Sequence, residues 1–235
     1  MIDFHSHILP GIDDGADCVE TSLSMLGMLY SQGVTTVVAT PHFHGDSESV
    51  DEFLTKREKA YLDLMKACEK NCAKIPEIVL GAEVALTLDT PKIEGIEKLC
   101  IGDTNTILIE LPYRDNSEWI TYAVYEIIAR CRLVPVLAHF ERFCTDKKVL
   151  KSFEKLLSLE LFVQANADSF LDKYYYKAVK QLVKKGVVDV IGSDMHNLDE
   201  RKSNMDKAVS KINRKFGKDY FEELQSNAQK LLKFS

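Results

Sequence analysis

Two histidines, His5 and His7, end an apolar-alternating segment almost at the start of the chain (Ile2-Asp3-Phe4-His5-Ser6-His7). In a β-strand residues i and i+2 share a face, so both imidazoles can converge on one centre. Imidazole is the commonest side-chain metal ligand, and a strand holds two of them at little further entropic cost. One such pair is often incidental. Here, however, His42, Glu83, Glu110, His139, Asp194 and His196 each lie at or just past the end of a strand-like apolar run. Asp194-Met195-His196 repeats the first spacing near the other end of the chain. A carboxylate closing a buried strand, as Glu83 and Glu110 do, is costly unless it is paired or bound to a cation. The turn Asp13-Asp14-Gly15 alone reads as a helix cap; Asp14 gains interest because its loop leaves the His5/His7 strand. Mixed His, Glu and Asp donors without cysteine select hard or borderline ions such as Mn, Fe or Zn. Nine donors exceed the roughly four to six positions of one ion, so two or three carboxylate-bridged ions fit the count. Such clusters lower the pKa of bound water and clamp a phosphoryl group during in-line attack.

The elements that must carry these residues alternate along the chain. Short runs rich in Val and Ile predict strands over residues 2–7, 35–40, 77–83, 106–110, 133–137, 161–166 and 187–192. Their near-continuous hydrophobicity is that of strands buried on both faces. Amphipathic stretches predict helices over 19–32, 52–72, 119–130, 149–157, 174–185, 205–216 and 220–232, with Gly33 and Gly186 as stops. Strict alternation implies a parallel sheet, and seven strands in 235 residues suit a closed barrel better than an open sheet. In either architecture reactive residues gather at the carboxyl ends of the strands.

Composition narrows the function classes. At 235 residues, 46% hydrophobic and 28% charged, the chain reads as one ordinary globular domain spanning 1–235. A net charge of −6 without a Lys/Arg stripe argues against nucleic-acid binding. No apolar run approaches the ~20 residues of a membrane span, and no secretory signal is visible. The six cysteines include no CxxC pair and read as free thiols of a cytoplasmic protein. A thiol phosphatase needs an arginine six residues after its cysteine, and none of the six has one.

The segments DFHSH, TPH, AHFER and SDMH, with the strand-end Glu83, resemble the PHP (polymerase and histidinol phosphatase) superfamily. Within it, MIDFHSHILPGIDDGA, VVATPHF, LIELP, VLAHFER and IGSDMHN are similar to the manganese-dependent protein tyrosine phosphatases of bacterial capsule and exopolysaccharide loci. The resemblance runs in the same order from Met1 to beyond Arg201. It implies an α/β fold, a distorted seven-stranded (β/α) barrel of TIM-like type with a trinuclear site at the C-terminal ends of the strands. It further implies that His5, His7, Glu83 and Asp194 hold one ion, with Glu83 bridging to a second held by Glu110 and His139. Asp14, His42 and His196 would hold the third. Arg142 and Arg201 correspond to the family's arginines; a guanidinium offers phosphate a bidentate fork. By itself Arg201 sits in a charged Asp199-Glu200-Arg201-Lys202 run that also reads as a solvated helix start.

The implied reaction is attack of a metal-bridging hydroxide on phosphotyrosine, the substrate being the tyrosine-rich tail of a partner kinase. Mn is the implied metal, with Fe or Zn as alternatives. The runner-up is hydrolysis of histidinol phosphate or another small phosphomonoester, and the third reading is a non-catalytic PHP scaffold. Filled ligand positions speak against the scaffold, and a phenolic leaving group of pKa about 10 suits a site without an evident general acid. His44 departs from the strand-end pattern and is expected on a loop rim. Tyr174-Tyr175-Tyr176 falls in a helical pattern and is expected to pack on the barrel surface. Oligomeric state is left open.

Overall fold

The computed structural model describes residues 1–113, 117–144 and 147–233. Strands and helices alternate as the sequence predicts, and every strand pairing is parallel. One sheet has the order β1 (Ile2–Ser6), β2 (Thr36–Ala39), β4 (Glu77–Leu80). The other runs β3 (His42–Phe43), β5 (Glu83–Ala85), β6 (Thr106–Glu110), β7 (Val134–Leu137), β8 (Phe162–Asn166), β9 (Val190–Gly192). The edges meet where Ser6 bridges Met195, with His7 N–H donating to Met195 O (2.9 Å) and Asp194 N–H to His5 O (2.8 Å). The result is a curled parallel sheet of half-barrel form.

The expected seven-stranded barrel is therefore corrected to a six-stranded and a three-stranded sheet. One expected strand, 77–83, is interrupted, and a further short strand follows the one expected over 35–40. Pro41, which has no N–H for a ladder, separates β2 from β3. Gly81-Ala82 separates β4 from β5. Glu83 consequently opens a short second strand rather than ending a long one, and His42, expected just past a strand, opens one as well.

Helices α1 (Val19–Ser31), α2 (Val50–Lys70), α3 (Glu118–Ala129), α4 (Lys147–Ser152), α5 (Tyr176–Lys184), α6 (Met205–Phe216) and α7 (Lys218–Leu231) complete the fold. A reciprocal Ser49/Glu52 capping box starts α2. The helix expected over 149–157 is instead α4 followed by a 3₁₀ turn at Leu156–Ser158. Among the described residues no helix is long and apolar enough to cross a membrane.

The interior is layered. Ile2, Phe4, Val38, Leu108, Val136 and Val190 fill the concave side of the sheet together with Ala228 and Leu231 of α7. That helix closes the amino ends of the strands: Gln225 accepts from Ile2 N–H (2.6 Å) and Thr106 Oγ1 donates to Leu231 O (2.8 Å). The opposite rim is left for polar side chains. How β1 reaches it depends on one slip. Asp3 pairs with Val37 but Ser6 with Ala39, so the register shifts by one residue between them. Ile2 and Phe4 face the concave core before the slip; after it His5 and His7 do.

Candidate metal centre

All nine candidate donors meet at the carboxyl rim. His5 and His7 lie on and just after β1, Glu110 ends β6, His139 follows β7, and Asp194 and His196 follow β9. Two of them have left-handed backbone, His139 (φ 33°) and Asp194 (φ 51°). Non-glycine residues rarely adopt this conformation unless the surroundings impose it, and such strain gathers at functional sites. Close approach of two glycines shapes the rim. A Cβ on Gly192 would lie 2.5 Å from His5 Cβ, so only glycine lets the end of β9 sit against β1. A Cβ on Gly15 would lie 2.2 Å from His7 O, which keeps the Asp13-Asp14 turn folded over His7.

The donor atoms are spaced like the corners of coordination shells. Glu83 Oε2 is 3.1 Å from His5 Nε2, 3.3 Å from His7 Nε2 and 3.1 Å from His42 Nδ1. Asp194 Oδ1 stands 3.7 Å from His5 Nε2 and 3.6 Å from His7 Nε2, while the two Nε2 atoms face each other at 3.0 Å. Glu83 Oε1 and Glu110 Oε1 lie 2.8 and 3.5 Å from His139 Nε2. Asp14 Oδ1 lies 3.4 Å from both His42 Nε2 and His196 Nε2. An ion with bonds of about 2.1 Å separates its ligands by about 3.0–3.4 Å in octahedral or tetrahedral geometry. Glu83 Oε2, His42 Nδ1 and His196 Nε2 are buried without a hydrogen-bond partner and face the neighbouring donors. Cations would satisfy such groups, and the donor chemistry fits them. The spacing forms three groups: His7/Asp14/His42/His196, His5/His7/Glu83 and His42/Glu83/Glu110. His7 and His42 each belong to two groups, so the partition is less exclusive than the resemblance implies.

The electrostatics match this crowding. Burial opposes charge on Glu83, but the His5 field and contacts from His139, His5 and His7 hold its carboxyl well below the usual range. Burial and the neighbouring His7 push His196 down to about 4, leaving it a neutral imidazole with a lone pair to donate at neutral pH.

A supporting layer behind the donors is not evident from sequence. Asp13, the neighbour of the candidate Asp14, accepts His7 Nδ1 at 2.7 Å and the backbone N–H groups of His42 (3.0 Å) and Gly15 (2.9 Å). It thereby turns His7 Nε2 toward the cluster. Gln164 Oε1 faces His5 Nδ1 at 3.2 Å and accepts from His139 N–H at 2.7 Å. Its amide donates to Asn166, whose own amide donates to Asp194 Oδ2 at 2.8 Å. Buried Glu141 accepts from Asn166 N–H and Ser169 Oγ. The inward alternation of Gln164 and Asn166 along β8 is the one legible signal of this layer.

Both candidate arginines arrive. Arg142, on the 3₁₀ turn Phe140–Phe143, pairs with Asp194 Oδ2. Arg201 reaches Asp194 Oδ1 and Asp14 Oδ2, each at 3.3 Å, so it is not merely a solvated helix start. His44 is exposed beside His42, its ring centroid 5.8 Å away, on the rim as expected. All six cysteines are free, and burial pushes the thiols of Cys100 and Cys144 up to about 12, far from nucleophilic thiolates. The tyrosine triplet does not form one surface: Tyr174 is 69% exposed, Tyr175 lines a cavity beside Arg142, and only Tyr176 starts α5.

Fold and site define the class, a curled parallel α/β protein of PHP type with a histidine–carboxylate cluster at its carboxyl rim. The chain belongs to the capsular polysaccharide synthesis CpsB/CapC family, whose profile matches residues 1–233. The tyrosine-protein phosphatase CpsB of Streptococcus pneumoniae is 33% identical over 239 residues, covering 95% of this chain and 94% of that protein. The tyrosine-protein phosphatase YwqE of Bacillus subtilis (strain 168) is 30% identical over 239 residues, covering 99% and 92%. The fold matches a crystal structure from work on B. subtilis YwqE and S. pneumoniae CpsB, described as unique metal-dependent tyrosine phosphatases. That match has a TM-score of 0.87 at 26% identity, over 99% of this chain and 94% of the other.

Proposed function

We propose that the chain, acting as one domain over 1–235, is a metal-dependent protein tyrosine phosphatase. The observation that carries the reading is the convergence of nine His, Asp and Glu side chains at coordination-shell spacing beneath two guanidiniums. His5, His7, Glu83 and Asp194 would hold one ion, Glu83, Glu110 and His139 a second, and Asp14, His42 and His196 a third. The oxygen-rich set with imidazoles suits Mn, with Fe and Zn as competitors. Bound divalent ions supply Lewis-acid polarisation of phosphoryl oxygens and lower the pKa of water.

The chain's own groups do the rest. Arg142 and Arg201 flank Asp194 from two directions, so their forks can grip separate phosphoryl oxygens and take up charge in the transition state. Asp13, Gln164 and Asn166 hold the donors without reorganisation. Phenolate, with a pKa of about 10, leaves with little acid assistance. The names of the relatives support a phosphotyrosyl substrate, and membership of a capsule-synthesis family supports a capsule-locus kinase tail as its source. Six free thiols suit the reducing cytoplasm.

The test pairs metal analysis of the purified protein with hydrolysis of a phosphotyrosine peptide and of histidinol phosphate. Chelation should abolish activity and Mn²⁺ restore it, with the peptide the better substrate. Full activity in metal-free protein would overturn the metal reading, and preference for histidinol phosphate the substrate reading.

A further inference from the structure

A cavity of about 600 Å³ opens beside Arg142, Arg201 and Asp194, at the side of the cluster from which a phosphoryl group would be gripped. Its volume falls within the roughly 300–1,000 Å³ of ligand clefts. Most of the lining residues are polar or charged. The exceptions include Leu171 and Tyr175, which lie on the segment between the 3₁₀ turn Ala167–Phe170 and α5. Tyr175 is half-buried and close enough to Arg142 for the guanidinium to favour its phenolate, although burial outweighs this. Its setting is built rather than incidental. The Asp172 carboxylate accepts the backbone N–H groups of Tyr174 (2.6 Å) and Tyr175 (2.9 Å), and the Tyr174 ring packs edge-on at 5.0 Å and 89°. This arrangement holds an aromatic ring at the cavity wall, on the turn that caps the start of α5, where the Tyr175 carbonyl accepts Val179 N–H (3.0 Å).

We propose that Tyr175, with Leu171, forms the subsite that receives the aromatic ring of an aryl phosphate while Arg142 and Arg201 hold its phosphoryl group. The inference rests on the phosphatase reading and deepens it. An aryl ring bridging from the guanidiniums can bury its faces against Leu171 and Tyr175, whereas the short alkyl stem of a serine phosphate cannot reach that wall. Tyr175 would therefore decide specificity, and Asp172 would position it.

The experiment compares wild type, Tyr175→Ala, Tyr175→Phe and Tyr122→Ala, the last an exposed tyrosine on α3 remote from this cavity. Two readouts are taken on the Mn²⁺-loaded protein. One is kcat/KM for a phosphotyrosine peptide relative to its phosphoserine counterpart. The other is calorimetric binding of the same peptide carrying phosphonomethyl-phenylalanine, relative to inorganic phosphate. Tyr175→Ala should lower both ratios about 3- to 10-fold, the range of a lost aromatic contact. Tyr175→Phe should restore most of the loss, and Tyr122→Ala should change neither. A folded Tyr175→Ala protein with both ratios intact overturns the subsite and leaves the phosphatase reading standing. Wild type that cleaves neither peptide overturns the phosphatase reading, and the calorimetric ratio then judges the aryl subsite alone.

Discussion

The most discriminating perturbation is at Asp13, which touches no proposed substrate and ligates nothing. Its Oδ2 accepts both His7 Nδ1–H (2.7 Å) and His42 N–H (3.0 Å), and its Oδ1 accepts Gly15 N–H (2.9 Å). Those contacts hold the Asp13 carboxyl down to about 2 despite its burial. Asparagine can keep an oxygen at the Oδ2 corner, but its amide then confronts the Gly15 N–H donor and the negative charge is gone. Asp13→Asn thus weakens the grip on His7 without emptying the space. Loss of a carboxylate behind a metal-bound imidazole lowers metal affinity about 10- to 100-fold, or about 1.4–2.7 kcal/mol. Asp13→Ala also strands two part-buried backbone donors, at the low end of about 1–3 kcal/mol each, so it should lower the Tm of metal-free protein as well.

The assay is Mn²⁺ titration against a competing chelator, with thermal melts of the metal-free proteins alongside. Weakened Mn²⁺ binding with a nearly native Tm is expected for Asp13→Asn, and activity should return at saturating Mn²⁺. Wild-type affinity in Asp13→Asn would show that His7 needs no orienting partner and refute the reasoning.

Arg142→Ala should keep its metal content while kcat/KM falls about 30- to 1,000-fold, and Arg142→Lys should recover only a fraction of the rate; wild-type turnover in the alanine variant would remove this arginine from catalysis. Gly192→Ala places a Cβ 2.5 Å from His5 Cβ, so chemical denaturation should register a loss of about 1–3 kcal/mol together with weaker metal binding; unchanged stability would mean β9 can move off β1 freely. Burial first, and Glu223 second, push Asp189 up to about 6, so it costs stability as pH rises from its unfolded value near 4 through 6. Asp189→Asn can still accept Val163 N–H (2.8 Å) and should raise Tm by about 2–4 °C above pH 6 and not below pH 4, checked by melts across that range.

Much of the site is legible because donor type is written directly in the chain. Imidazoles and carboxylates at the ends of apolar runs announce a cation cluster whatever the details of the sheet, and all nine converge. Helix limits marked by local chemistry are also readable, as at Gly33 after α1 and the start of α6 at Met205. What stays hidden is long-range. Alternation does not show that Gly81-Ala82 interrupts its strand or that a further short strand follows Pro41, because an isolated glycine or proline also occurs at an edge or a bulge. Asp13 is indistinguishable from Asp14, which has the same chemistry one residue on. Gln164 is legible only as an inward polar position on β8; its pairing with His5 is hidden because the two lie 159 residues apart and no local rule joins them.

Residue order alone settles the chemistry: which donors exist, that none is a competent thiolate, and that parallel strands carry the donors to one rim. Which way they face is settled only by packing. Period-two alternation puts His5 and His7 on one face of β1 but opposite to Ile2 and Phe4, which fill the concave core. Only the one-residue slip between Asp3 and Ser6 turns both histidines inward. That slip is set by pairing with β2, and by Thr40 Oγ1 accepting Ser6 N–H at 3.1 Å, contacts made across more than thirty residues of chain. A strand read in isolation has no register, because register is a property of two strands and the packing that binds them.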